Sequence, residues 1–151
     1  MHKLMLSVAL LITGSVAASV DMTMPVNSSD IKWMPAPNFV PPGAQFTVLS
    51  GDPSKDGLFV IRIKMPAGYK IAAHSHPTSE FVTVLSGEFD IGMGDKLDME
   101  KGLALKPGGF AEAPAKMNHY AWAPVETIVQ VHGLGPVVFN YVNPADDPSK
   151  K

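Results

Sequence analysis

The sequence predicts an all-β fold, an antiparallel double-sheet sandwich or barrel, and three observations predict it. Short apolar runs of four to eight residues recur through residues 44–143. Glycine, proline or Asp/Ser turn signals bound each run, as in Ser50-Gly51-Asp52-Pro53 and Ser86-Gly87. No long segment carries the 3.6-residue apolar period of an amphipathic helix. Strands without helices to cover them bury their apolar faces against one another. With 151 residues and 46% hydrophobic content the chain supports one domain with a core of its own, and is too short for two.

The chain starts with Met1-His2-Lys3, an apolar run over 4–12 and the small residues Gly14-Ser15-Val16-Ala17-Ala18. Charge, apolar run and small residues in that order read as a secretory signal over 1–18, cleaved after Ala17 or Ala18. The run is too short for a bilayer span of about 20 residues. The expected location is therefore the periplasm or the exterior. Residues 19–43 are proline-rich and polar with Trp33, Phe39 and Val40 as apolar anchors, which reads as an extended arm wrapping the domain. The strands expected next are 45–49, 58–65, 81–85, 88–93, 103–106, 118–122, 127–132 and 137–142. Residues 144–151 form a polar, frayed tail. The charge-alternating segment Asp95 to Lys101 reads as a solvated hairpin.

Composition removes several function classes. A net charge of −2 with scattered basic residues gives no footprint for nucleic acid. Arg62 is the sole arginine and the chain has no cysteine, so disulfides and thiolate metal sites are excluded. Any metal must be held by imidazole and oxygen. The nine methionines form no closely spaced cluster with histidine.

His74-Ser75-His76, Glu80 and, some forty residues on, His119 supply that donor set. In an extended chain alternate side chains share a face, so His74 and His76 can reach one ion. Pro77 to Ser79 can return the chain so that Glu80 approaches from the next strand. Three imidazoles and a carboxylate suit one divalent transition metal: iron, manganese, nickel, copper or zinc. The spacing Gly68, five residues, His74, one residue, His76, three residues, Glu80, six residues, Gly87 resembles the complete first motif of the cupin superfamily. Gly108, Pro114 and His119 resemble part of its second motif, with Lys116 standing where glycine is usual and Ala123 where asparagine is usual.

The resemblance implies a cupin jelly-roll β-barrel as a single domain, a metal inside it bound by His74, His76, Glu80 and His119, and a homodimer. It is similar in pattern both to the zinc-carrying cupin half of certain anti-sigma factors and to small diketone-cleaving dioxygenases. Period-two counting then assigns the surroundings. Val82 and Val84 share the face of Glu80 and would wall the site, and Ala121 shares the face of His119 and would leave room for a ligand. Tyr120 and Trp122 point the other way, into packing or a dimer contact. Arg62 and Lys64 alternate with Phe59, Ile61, Ile63 and Met65. A solvent face is the plain reading, and an inward Arg62 gripping a substrate carboxylate is the sharp one. His132 reads as an edge histidine. The expected function is an exported metal-dependent enzyme on a small organic molecule, of dioxygenase, decarboxylase or lyase type. The alternative is a non-catalytic sensor or carrier of zinc or a small ligand. No nucleic acid and no membrane span after signal removal are expected.

Overall fold

Glycines, prolines and β-branched runs partition the chain into eleven strands, seen in a computed structural model that describes residues 25–151. The signal segment 1–18 lies outside the described residues. The strands are β1 Met34–Pro35, β2 Gln45–Ser50, β3 Gly57–Met65, β4 Tyr69–Ser75, β5 Glu80–Ser86, β6 Phe89–Met93, β7 Leu103–Leu105, β8 Phe110–Ala113, β9 His119–Ala123, β10 Thr127–Gly135 and β11 Asn140–Tyr141. They form two antiparallel sheets, ordered β1-β2-β3-β10-β5-β8 and β11-β4-β9-β6-β7. This is the double-sheet all-β architecture the sequence predicts.

The alternation of each strand decides which side chains meet between the sheets. Val129 and Val131 of β10 stand opposite Ile63 and Ile61 of β3 on one side, and Val84 and Val82 of β5 on the other. From the second sheet, Tyr69, Ile71, Phe89, Ala121 and Ala123 complete the same core. Burial of such a set is the main stabilising term, at about 25 cal/mol per Å² of apolar surface removed from water. Arg62 falls on the opposite face of β3, where its Nε donates to Gln130 Oε1 at 3.2 Å.

The outer face of the five-stranded sheet carries a second cluster, Ala73, Tyr120 and Trp122, with Leu97 packed on it. Tyr120 and Trp122 are buried within the single chain and stack with ring centroids 6.3 Å apart. Residues 95–101 thus do more than solvate: through Leu97 they cover this aromatic pair.

The arm is tied down at several points. β1 pairs with β2, Lys64 Nζ lies 4.9 Å from the Trp33 ring centroid, and the Tyr69 hydroxyl donates to the Pro41 carbonyl. The tail forms two 3-10 turns, Pro144–Asp146 and Pro148–Lys150, whose first N–H groups are capped by Asn143 and Asp147. Local side-chain caps thus replace the fraying expected of a polar terminus.

Gly87 makes the turn from β5 to β6 with φ +80, and a Cβ there would strike the Glu126 carbonyl and Thr127. Both the left-handed backbone and the close approach require glycine. Gly87→Ala is expected to destabilise the protein by roughly 2 kcal/mol or more, measured as a lowered urea midpoint at unchanged slope.

Candidate metal centre

Strand pairing brings distant histidines together. His74 near the end of β4 is the cross-strand partner of His119 at the start of β9, with ring centroids 4.4 Å apart. Counting alternately from Tyr69 and Ile71, which face the core, would send His74 outward. A bulge between Ile71 and His74 changes the parity, so Ala73 joins the outer cluster and His74 turns in. His76 lies one residue past β4. It is placed by the chain around it: its Nδ1 donates to the Val138 carbonyl at 2.8 Å, and its own carbonyl accepts from Lys116 N at 2.7 Å.

The three imidazoles are oriented alike. Nδ1 of His74 bonds the Ala72 carbonyl at 2.7 Å, and Nδ1 of His119 bonds the Met117 carbonyl at 3.0 Å. A carbonyl only accepts, so Nδ1 carries the proton in each ring and Nε2 keeps its lone pair. Such outer contacts fix both tautomer and ring direction. One nitrogen from each of His74, His76 and His119 lies within 4.8 Å of the others, and all three residues are buried. His76 Nε2 has no hydrogen-bond partner although it is buried, a costly state that a bound cation would relieve. The three-histidine group could therefore hold a metal ion.

Burial keeps these rings neutral. It pushes His74 far below the ordinary imidazole range, aided by repulsion from His119 and His76, and it also lowers His76 and His119. Burial raises the Glu80 carboxyl from 4.5 to about 7, against a lowering by His119. Glu80 opens β5, and its Oε2 lies 3.3 Å from His76 Nε2. With the ring neutral this is a close approach rather than an ion pair, and a bound cation would displace the Glu80 proton and return the carboxyl to its charged form.

The remaining sequence-assigned residues separate into two groups. Val82 and Ala121 border a 50 Å³ chamber together with His74, Glu80 and His119. Val84 is buried deeper, in the core itself, and does not line that space. Arg62 does not line it either: its strand alternation places it across the sheet, bonded to Gln130, so an inward grip on a substrate carboxylate is corrected to an outer-face contact. His132 stacks on Phe81 at 5.2 Å on that same outer face.

Phe139 is the neighbour the sequence did not single out. It stacks on His74 at 4.4 Å and 14° and meets His76 edge-on at 4.6 Å. Beyond it a 360 Å³ cavity opens, sharing Ile63, Ile71, Glu80, Val131 and Phe139 with the smaller chamber. The arm roofs this cavity through Ala36, Pro37, Phe39 and Val40, and the Tyr141 hydroxyl donates to the Phe39 carbonyl at 2.8 Å.

Lys116, in the turn before His119, has φ 64. A side chain in this left-handed region costs about 1 kcal/mol that glycine avoids, partly offset by glycine's larger freedom when unfolded. Lys116→Gly is expected to leave metal content unchanged and to raise the melting temperature by a few degrees or less. A clear drop in melting temperature would show that the lysine side chain makes a compensating contact.

A family model described as the ChrR cupin-like domain matches residues 21–138. No curated protein matches the chain. Among solved structures, the chain is similar to the polyketide cyclase RemF from Streptomyces resistomycificus, at 16% identity and a TM-score of 0.68, covering 85% of this chain and 92% of that one. It is also similar to a provisionally assigned acetylacetone dioxygenase from Methylibium petroleiphilum, at 24% identity and a TM-score of 0.65 over 87% and 89% of the two chains. An acetylacetone dioxygenase from Acinetobacter johnsonii aligns at 18% identity and a TM-score of 0.62 over 82% and 80%. At such identities the likeness establishes the shared fold.

Proposed function

The chain belongs to the ChrR cupin-like family, and from that membership we propose that it is an exported, metal-dependent enzyme acting on a small organic molecule. The observation that carries the reading is the convergence of three neutral, backbone-anchored imidazoles beside Glu80, which borders both the small chamber and the larger cavity. His74, His76, His119 and Glu80 would hold one iron, manganese, nickel, copper or zinc ion. Three neutral donors and one carboxylate leave such an ion a net positive charge, so it would supply Lewis-acid or oxygen-activating chemistry. The chain's own residues orient the donors, exclude water through Val82, Ala121 and Phe139, and leave Glu80 able to bind or release a proton at its carboxyl. Dioxygenase, decarboxylase and lyase reactions all fit this equipment. The dioxygenase option has the added support of the similar folds.

Export is supported by Lys3, the apolar run after it and the Ala17-Ala18 segment, and would put the mature protein in the periplasm or outside the cell. Among the described residues no helix is long and apolar enough to cross a membrane. A homodimer belongs to the same proposal, supported by Leu58, Phe110 and Leu134 exposed on the outer face of the six-stranded sheet. Sedimentation at micromolar concentration tests it.

A second reading has one observation in its favour: among the described residues, apart from the histidines, only Asp52 and Glu80 offer carboxyl groups to the two cavities, and the Lys55 ammonium and Ser54 hold the Asp52 carboxyl well below the usual carboxylate range. A non-catalytic carrier or sensor of zinc or of a small ligand needs nothing more. Elemental analysis of the untagged mature protein separates the readings. Near-stoichiometric, exchangeable iron, manganese, nickel or copper supports the enzyme, tightly held zinc without turnover supports the sensor, and absence of metal overturns both metal-based readings.

A further inference from the structure

We infer that the ligand of this site is a neutral, mainly apolar organic molecule carrying its polar function at one end, and that the cavity wall, as distinct from a bound metal, disfavours molecules bearing a carboxylate or phosphate. This deepens the reading of the site as a metal-dependent small-molecule centre and rests on it. The inference stands on which polar groups face the two cavities and what each is already bonded to.

Among the described residues, no lysine or arginine lines either cavity. The sole arginine is on the outer face of the sheet, bonded to Gln130. Asp52 and Glu80 are the charged groups at the walls, and both are carboxylates. At the rim, the Lys55 ammonium lies 2.7 Å from Asp52 and the Ser54 hydroxyl donates to Asp52 at 2.6 Å, so both groups that could draw an anion inward are already committed to a carboxylate. The Tyr69 hydroxyl is committed to the Pro41 carbonyl. The rest of the lining is aliphatic and aromatic, with Val48, Ile61, Val131 and Val137 beside Phe39 and Phe139.

An anion entering this space would lose its hydration and meet no cation along the wall, a cost of several kcal/mol. A neutral molecule with an apolar body meets no such cost and gains from removal of its surface from water. Its polar end has partners only where Glu80 and the imidazoles converge. The cavity therefore fixes orientation as well as class: apolar body under the arm, polar end toward the histidines. At 360 Å³ it has the size of an ordinary small-molecule pocket.

Two probes matched in size test this: 4-phenylbutan-2-one, which is neutral, and 3-phenylpropanoate, which is its carboxylate counterpart. Calorimetric titration of the mature full-length protein is done before and after chelator treatment, with metal content measured in each sample. The ketone is expected to bind in both states, and in the metal-free protein at least tenfold more tightly than the carboxylate. Ala44→Phe, on the wall before β2 and away from the segment that anchors His76, is expected to lose ketone binding at least tenfold at unchanged metal content. Ile61→Trp provides the same obstruction if that variant does not fold. Equal or tighter carboxylate binding in the metal-free protein overturns the inference, as does undiminished ketone binding in a folded cavity-filled variant. Ketone binding by a protein that never holds metal would instead sink the metal-centre reading and leave the ligand class standing.

Discussion

His76→Ala is expected to lower the metal content of the purified protein at least tenfold while leaving it folded. The residue sits in a loop just past β4, so truncating it breaks no strand pairing. What it removes is one of three converging nitrogens, the one that is buried without a partner. Loss of a direct imidazole bond to a divalent ion is worth far more than the 1.4 kcal/mol that corresponds to each tenfold change in affinity. The Val138 carbonyl, which accepts from His76 Nδ1, also loses its partner, so a modest fall in stability should accompany the loss of metal. Metal content and circular dichroism on the same sample separate the two effects. Full occupancy in a folded His76→Ala protein would sink the ligand assignment.

The donor set was legible because spacing and residue type are both written in the chain: His74, His76, Glu80 and His119 stand out at fixed intervals in a chain of five histidines. The strand runs were legible where apolar residues alternate, as in β3, where Phe59, Ile61, Ile63 and Met65 line the core side. What defeated period-two reasoning was irregularity. The sequence does not mark β4, Tyr69–Ser75, as a strand, since Ala72 and Ala73 give no alternation, and its bulge reverses the parity on which the direction of His74 depends. Tyr120 and Trp122 were directed away from the metal face by the same rule, and β9, which has no bulge against β6, keeps them there.

Phe139 and the contacts that fasten the arm escaped for a different reason. The expected strand 137–142 narrows to Asn140–Tyr141, and Phe139 reaches His74 and His76 from irregular chain just before it. Nothing in the sequence of a loop states which ring it will contact, because that depends on how the whole chain closes. The two tyrosine hydroxyls that hold the arm bond backbone carbonyls, and a carbonyl leaves no mark in sequence. Val84 illustrates the limit of face assignment. It shares a face with Val82, yet two residues along the strand is about 7 Å, enough to move it from the chamber wall into the core.

Glu80→Gln is expected to make the metal-free protein more stable at pH 8 and to leave it nearly unchanged near pH 4.5. Burial raises the folded carboxyl to about 7, so between pH 4.5 and 7 the folded chain keeps a proton that the unfolded chain has lost. Its favourable contribution is complete below 4.5 and is lost as pH rises through about 7. At pH 8 a buried carboxylate remains, at a cost on the order of 3 kcal/mol relative to its neutral amide isostere. The histidines have the opposite sign: with folded values depressed, their contribution is present above the ordinary imidazole range and is lost as pH falls below about 6.5. Their main cause, burial, is common to both proteins, so the difference between the two stability curves reports Glu80 together with its smaller electrostatic coupling to His119. Adding a divalent metal should reverse the order at pH 8, because the carboxylate then faces a cation and the amide does not. Urea titrations of both proteins from pH 4.5 to 8, with chelator and with metal, read this directly. A difference independent of pH would mean that Glu80 ionises as it would in water, and equal metal affinity of the two proteins would leave the ion to the three imidazoles alone.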